Sequence, residues 1–229
     1  MKLTKVTIGD RDFYVRPETS DLKAIEESYL KGYQRKGFYE TGDVWIDGGA
    51  NAGGFTAMAA QKVKAVHSFE PDRQNWLVLR ENTKQYQNVT LYEQGLGHFA
   101  RNTIIYRNTK KGNVWRNSIV KNWRNSEQAV VNIVALDDVL KQTGANGLKL
   151  DIEGAEFEIL ENCILEGINK LVFEYSFDID GNLERYRKII ERIESLGFDV
   201  MNKRLYSDHR VWPKSWFPPC QTIWCTKTI

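Results

Sequence analysis

The chain alternates short apolar runs with amphipathic stretches, and the order of these predicts its elements. Leu3 to Ile8 and Asp12 to Val15 alternate around Gly9-Asp10, which predicts a β-hairpin. Ser20 or Asp21 opens a helix to about Tyr33, with Leu22, Ile25 and Leu30 apolar. Apolar strands follow at Val44–Asp47, Lys64–Glu70, Val89–Gln94, Gly147–Asp151 and Lys170–Tyr175. Helices are predicted between and after them at Phe55–Ala60, Asp72–Gln85, Leu136–Gln142, Glu156–Leu160 and Asn182–Leu196. The last is stopped by Gly197. Phe198–Met201 and Thr222–Thr226 are the final strands. This alternation predicts an α/β, doubly wound, mostly parallel sheet. Its ligand belongs at the carboxyl ends of the strands, where Asp47, Glu70, Asp151 and Glu174 fall.

The first of these strands carries the strongest chemistry. Val44-Trp45-Ile46-Asp47 runs into Gly48-Gly49-Ala50-Asn51-Ala52-Gly53-Gly54 and then into a helix. Glycines allow positive φ and close approach of a ligand, and a helix start presents unpaired N–H groups. Glu70 ends the next strand, about 20 residues on, where an acid accepts ribose hydroxyls. Asp47 stands immediately before the turn and would repel a pyrophosphate. It suits a cationic group such as the ammonium of a methionine moiety. That favours S-adenosylmethionine over NAD as the cofactor, held by Asp47, Gly49, Asn51, Gly53 and Glu70, with the Gly95-Leu96-Gly97 loop near the adenine.

Composition changes this picture little. A chain of 229 residues with net charge +2 fits one domain, and total charge selects no partner. Cys163, Cys220 and Cys225 form no zinc pattern. Without a signal segment they read as buried, reduced thiols in a cytoplasmic protein, a Cys220–Cys225 pair being the alternative. No stretch has membrane-span length.

Local charge says more. No Asp or Glu occurs between Gln94 and Ser126, while Arg101, Arg107, Lys110, Lys111, Arg116, Lys121 and Arg124 do, with Tyr106, Trp115 and Trp123 among them. Residues 98–135 therefore read as a β-rich basic insert. Residues 203–219 read as a substrate-side loop of similar chemistry, and residues 1–40 as an N-terminal extension of a single domain 1–229. A solvated hairpin that balances acids elsewhere is the plain reading of the insert. The sharper one makes Trp115, Arg116, Trp123 and Arg124 substrate contacts, because arginine with aromatics suits phosphates and stacked rings.

Four ordered motifs carry a resemblance: Asp47-Gly48-Gly49-Ala50-Asn51-Ala52-Gly53, Phe69-Glu70-Pro71, Leu136-Asp137-Asp138-Val139-Leu140, and Lys149-Leu150-Asp151-Ile152-Glu153-Gly154-Ala155-Glu156. Together, from about Gly42 to Tyr175, the chain resembles the FkbM family of S-adenosylmethionine-dependent methyltransferases. The resemblance implies a class I methyltransferase (Rossmann-like) sheet with a reversed last strand, and O-methylation, often of sugars or natural products. Family members often carry Ala where Gly95 stands here.

A hydroxyl acceptor needs a proton acceptor or a metal, since its own pKa is far above 7. Asp151 is the first candidate base. Glu153 and Glu156 stand at a helix start, where acids also stabilise the macrodipole. Glu174 suits substrate hydroxyls or, with Asp151 and Glu153, a divalent cation. His209 is an alternative base, His67 reads as packed inside a strand, and His98 as bordering the cofactor loop. The expected acceptor is a saccharide, nucleotide or other anionic or ring-bearing molecule. The alternatives are an RNA (2'-O or base) methyltransferase, a nucleic-acid-binding module on the same scaffold, and an NAD-dependent oxidoreductase.

Overall fold

The computed structural model describes residues 1–108, 117–121, 126–176, 182–201 and 221–227. Strands β1 (Thr4–Ile8) and β2 (Arg11–Val15) form the expected hairpin. Helix α1 (Asp21–Glu26) continues into a π-helical turn, Glu27–Lys31. Then come β3 (Val44–Gly48), α2 (Gly54–Ala59), β4 (Ala65–Phe69), α3 (Arg73–Thr83) and β5 (Val89–Tyr92). Short β6 (Gly95–Gly97), β7 (Arg101–Asn108) and β8 (Ser126–Ala135) precede α4 (Leu136–Thr143). The chain closes with β9 (Gly147–Leu150), α5 (Glu156–Asn162), β10 (Lys170–Tyr175), α6 (Leu183–Ser195), β11 (Asp199–Val200) and β12 (Gln221–Thr226).

The central sheet has seven strands in the order β5-β4-β3-β9-β10-β12-β11. Strands β5 to β10 pair in parallel, and β12 runs antiparallel to both β10 and β11. This is the parallel sheet with a reversed last strand that the sequence led us to expect. The chain leaves β3 toward β4 on one side and returns beside β3 as β9 on the other. The crevice beyond their carboxyl ends is therefore the topological switch point.

Both faces of the sheet are covered, so its strands read as nearly continuous apolar runs. One face packs α4, α5 and α6 through a core including Phe157, Leu160, Tyr186, Ile189 and Ile193. Tyr186, Ile189, Ile190 and Ile193 are buried at helical spacing, and Asn182 caps α6 by accepting from the amides of Glu184 and Arg185. The other face packs the hairpin, α1 and α2 through Phe13, Ile25, Tyr29, Phe55 and Trp45.

One element departs from the sequence reading. Gly95–Gly97 is not a loop but a strand, parallel to the second half of β8, in a separate three-stranded sheet ordered β6-β8-β7. Its partners, Ile133 to Ala135, lie far along the chain, so no local pattern announces it. Among the described residues, no helix is long and apolar enough to cross a membrane.

Candidate active site

The carboxyl ends of β3, β4, β9 and β10 converge on two cavities. A narrow one of about 50 Å³ is lined by Gly49, Asn51, Glu70, Gly95, Asp151 and Glu153, and by the apolar side chains Leu96, Ile105, Ile119 and Ile133. A larger one of about 580 Å³ is lined by Tyr33, Phe55, Lys149, Glu174, Ser176 and Thr222, and by Lys23, Ala24, Glu27, Ser28 and Lys31 of α1 and its π turn. Gly49, Asn51, Asp151 and Glu153 line both, so the cavities meet at the β3–β9 switch point.

The glycine turn follows from close packing. Gly49 has φ +76°, and a Cβ there would lie 1.9 Å from the Asp151 carbonyl oxygen. Only glycine lets the β3 and β9 exit loops approach this closely. The amides of Gly49 and Ala50 both donate to the Phe69 carbonyl at 3.0 Å, which ties the turn to the end of β4. Asn51, with φ +50°, donates its amide to Glu70 Oε2 at 2.8 Å. Glu70 Oε1 accepts from the Asp72 amide at 2.9 Å. Burial first, then the Asp72 charge, pushes Glu70 up to about 7 against the pull of these amides. The buried Asn51 Oδ1 has no hydrogen-bond partner among the described residues.

Asp47 and Gly53 line neither cavity. Gly53 starts α2 with φ +90° and packs against Leu79 and Thr83. Asp47 is fully buried beneath the turn, where Thr56 Oγ1 donates to its Oδ2 at 2.6 Å. Its counter-charge is inside the protein: Lys149 Nζ lies 3.1 Å from Asp47 Oδ1. Asp47 therefore meets a lysine where the sequence suggested a cationic ligand group. Lys149 also donates to the carbonyls of Gly48 and Gly49, at 3.1 and 2.8 Å, and stands 3.8 Å from Asp151 Oδ2. Burial pulls Lys149 down, but Asp47 and then Asp151 outweigh it and hold it above its ordinary value.

Asp151 follows β9 directly. Tyr33 Oη donates to its Oδ2 at 3.0 Å. Burial, followed by the Asp151 and Glu174 charges, pushes Tyr33 well above its ordinary value, so it is a neutral donor. Lys149 and Tyr33 were not singled out by the sequence reading. A lysine inside an apolar parallel strand was the available signal, because a buried charge requires a partner. Glu174 on β10 lies opposite Thr222 on β12, and both line the larger cavity.

Glu153 has φ +52°, and its carbonyl accepts from Ser118 Oγ at 2.6 Å. Among the described residues, no three His, Cys, Asp or Glu side chains form a group able to hold a metal ion. Asp151, Glu153 and Glu174 thus share a cavity without forming the cation site considered for them. Glu156, at the start of α5, is buried and pushed up to about 7 by burial, against hydrogen bonds from amides at the helix start.

The remaining candidates divide. His67 is half-buried, and its Nδ1 lies 3.1 Å from Tyr92 Oη, so it packs as expected. His98 is exposed and lines neither cavity, because its amide is turned toward Glu158. Gly95 lines the narrow cavity, and the place of an alanine methyl is taken by Ile133 Cδ1, 2.6 Å from an ideal Cβ. In the basic insert, Arg101 makes a bidentate pair with Glu158 at 2.8 and 2.7 Å, and Arg107 pairs with Asp72. These two arginines do balance acids elsewhere. Trp115, Arg116, Trp123, Arg124, His209 and Cys220 lie outside the described residues. Cys163 and Cys225 are buried free thiols.

Residues 47–200, more than half of the chain, match the family model of the methyltransferase FkbM domain. A comparison with curated proteins gives no match. Among solved structures, the methyltransferase FkbM from Methylobacillus flagellatus is 18% identical with a TM-score of 0.47, over 77% of this chain and 43% of that one. The precorrin-6y C5,15-methyltransferase from Geobacter metallireducens is 14% identical with a TM-score of 0.46, over 91% and 87%. An rRNA methylase from Streptococcus thermophilus is 12% identical with a TM-score of 0.49, over 83% and 89%. This chain thus spans less than half the length of the Methylobacillus protein.

Proposed function

The chain belongs to the FkbM family of methyltransferases, and we propose that it moves the methyl group of S-adenosylmethionine to a hydroxyl oxygen of a saccharide, nucleotide or other anionic or ring-bearing acceptor. We read residues 1–229 as one methyltransferase domain. The observation that carries the reading is the meeting of two chemically different cavities at Gly49 and Asp151. One has a carboxylate and an apolar wall, which suits a nucleoside. The other mixes acids, lysines and hydroxyls, which suits a polyhydroxylated acceptor.

Three features fit the cofactor. Gly49 brings the β3 turn against the Asp151 carbonyl with no side chain between them, so bare backbone forms this part of the cavity wall. Asn51 Oδ1 is a buried acceptor awaiting a donor. Glu70 is anchored by two amides with its carboxylate at the narrow cavity, placed to accept ribose hydroxyls. Gly95 and Leu96, with Ile105, Ile119 and Ile133, offer an apolar slot for the adenine. When bound, S-adenosylmethionine supplies an electrophilic methyl carbon on a cationic sulfur. Asp47, Lys149 and Asp151 sum to one negative charge beside that place, which suits a cation.

On the acceptor side, Asp151 takes the proton of the attacking hydroxyl. Glu174, Ser176 and Thr222 bind neighbouring hydroxyls, and Glu153 borders both cavities. Aligning the hydroxyl oxygen with the methyl carbon supplies much of the rate, through effective molarity. Trp115, Arg116, Trp123 and Arg124 of the insert, and His209 of the loop 203–219, complete the proposed acceptor contacts.

The test is transfer of labelled methyl from S-adenosylmethionine into cell extract, with and without nuclease treatment, with Glu70→Ala as control. Label that survives nuclease and disappears in the Glu70→Ala variant supports the reading. Label that is lost with nuclease moves the acceptor to RNA or DNA. Equal labelling by Glu70→Ala and the wild type sinks the assignment of the narrow cavity.

A further inference from the structure

Tyr33 stands before the family-matched segment, yet its hydroxyl reaches into the β9 exit loop and touches Asp151 at 3.0 Å. Its placement is built in from several sides. Ile25, Tyr29 and Tyr33 are four residues apart and buried in one stripe. In an α-helix such residues drift by about 40° per step around the axis. Here the Glu27–Lys31 segment is π-helical, and the Gly32 amide closes on the Glu27 carbonyl at 2.6 Å. The wider turn takes up that drift and keeps Tyr33 facing inward. The ring meets Phe55 edge-on at 5.4 Å and Trp224 at 6.5 Å, and the Tyr33 carbonyl accepts from Tyr39 Oη at 2.7 Å.

Both Tyr33 Oη and, farther off, Lys149 Nζ address the same Asp151 oxygen, Oδ2. Among the described residues nothing donates to the other oxygen, Oδ1, which is left for a proton. We propose that Tyr33 is a positioning residue for methyl transfer. Its hydroxyl holds one oxygen of Asp151 and aims the other at the acceptor hydroxyl. This rests on the reading of Asp151 as the proton acceptor. The acceptor oxygen forms its bond to the methyl carbon as the carbon–sulfur bond breaks. The electron pair of that bond stays on sulfur, and the proton goes to Asp151 Oδ1.

The charges around Asp151 are Lys149 from β9, Asp47 from β3, Glu174 from β10, Glu153 from its own loop and Glu156 from the start of α5, with Lys23, Glu27 and Lys31 across the same cavity. Against that background, a neutral donor on Oδ2 fixes the orientation of the carboxylate, and its removal lets the side chain turn away from the acceptor hydroxyl.

The experiment uses the full chain as Tyr33→Phe, Asp151→Asn and Tyr29→Phe. Tyr29→Phe loses a buried hydroxyl that bonds Asp10 instead. Binding of S-adenosylhomocysteine is measured, together with kcat for methyl incorporation into extract and KM for S-adenosylmethionine. Tyr33→Phe is expected to bind S-adenosylhomocysteine like the wild type, to keep the KM, and to lose about tenfold in kcat, the scale of one hydrogen bond to a charged group. Tyr29→Phe keeps the wild-type kcat. A Tyr33→Phe protein with wild-type kcat, beside an inactive Asp151→Asn, overturns the role of Tyr33 alone. Full transfer by Asp151→Asn overturns the reading it rests on.

Discussion

Asp47 and Lys149 are register partners on the adjacent parallel strands β3 and β9, and their side chains form an ion pair of 3.1 Å sealed from solvent. The pair fixes the spacing of the two strands whose ends build the site. Because both charges are buried, removal of one leaves the other uncompensated. Lys149→Met is expected to destabilise the fold by about 3–5 kcal/mol in urea denaturation. The double variant Asp47→Asn/Lys149→Met should recover a large part of that loss. Equal cost for the single and double variants would show that the pair is not the source.

Glu70 and Glu156 give a pH prediction. Both are raised to about 7 in the folded protein, against about 4.5 for an ordinary glutamate. Ionising them costs the folded state. Their contribution to stability is therefore full below about 4.5 and is lost as pH rises toward 7. Urea midpoints measured between pH 5 and 7.5 should show less decline in Glu70→Gln and Glu156→Gln than in the wild type.

The same titration bears on the cofactor. Hydroxyls donating to Glu70 favour its ionised form. Affinity for S-adenosylhomocysteine should then rise between pH 6 and 8, by up to about tenfold per unit below 7. Calorimetry with Glu70→Gln should give a weaker and flatter profile. A wild-type profile that is already flat would remove Glu70 from the ribose.

Two glycines on the cavity wall should differ sharply. At Gly49 an alanine methyl meets backbone, the Asp151 carbonyl, at positive φ. Gly49→Ala should cost about 2–4 kcal/mol from strain and overlap together, and abolish cofactor binding. At Gly95 the nearest atom is the end of the Ile133 side chain. Rotation of that methyl relieves the overlap, so Gly95→Ala should cost about 1 kcal/mol and bind cofactor. Thermal unfolding of the two variants side by side decides this.

Asp72 joins the insert to the nucleotide side. Its Oδ1 caps α3 through the amides of Gln74 and Asn75, and its Oδ2 pairs with Arg107 of β7. Asp72→Ala removes the cap and leaves Arg107 without its acid, an expected loss of about 2 kcal/mol. Asp72→Asn keeps the cap and should lose only the part owed to the charge.

Much of this is legible in the amino-acid sequence. Local signals carried the Asp47–Gly53 turn, because strand, glycines and helix follow one another within the chain. They also carried Glu70, whose distance from the turn is a property of one βαβ unit. What escaped depends on distant partners. Lys149 finds its acid on another strand, and only the β3–β9 register brings them together. Gly95–Gly97 becomes a strand because β8 returns to it. Tyr33 reaches Asp151 through a π turn whose widening no apolar spacing reveals.

Ser118 links the insert to the Glu153 loop in a mechanical sense. One buried hydroxyl donates to the Glu153 carbonyl and accepts from the amides of Val120 and Lys121, while its backbone pairs with Tyr106. The 117–121 segment is thus the short arm of a lever whose long arm is the β7–β8 ribbon. A load placed on the ribbon must either snap that hydroxyl contact or drag the wall shared by the two cavities. The ribbon and the wall of both cavities are for this reason mechanically one piece.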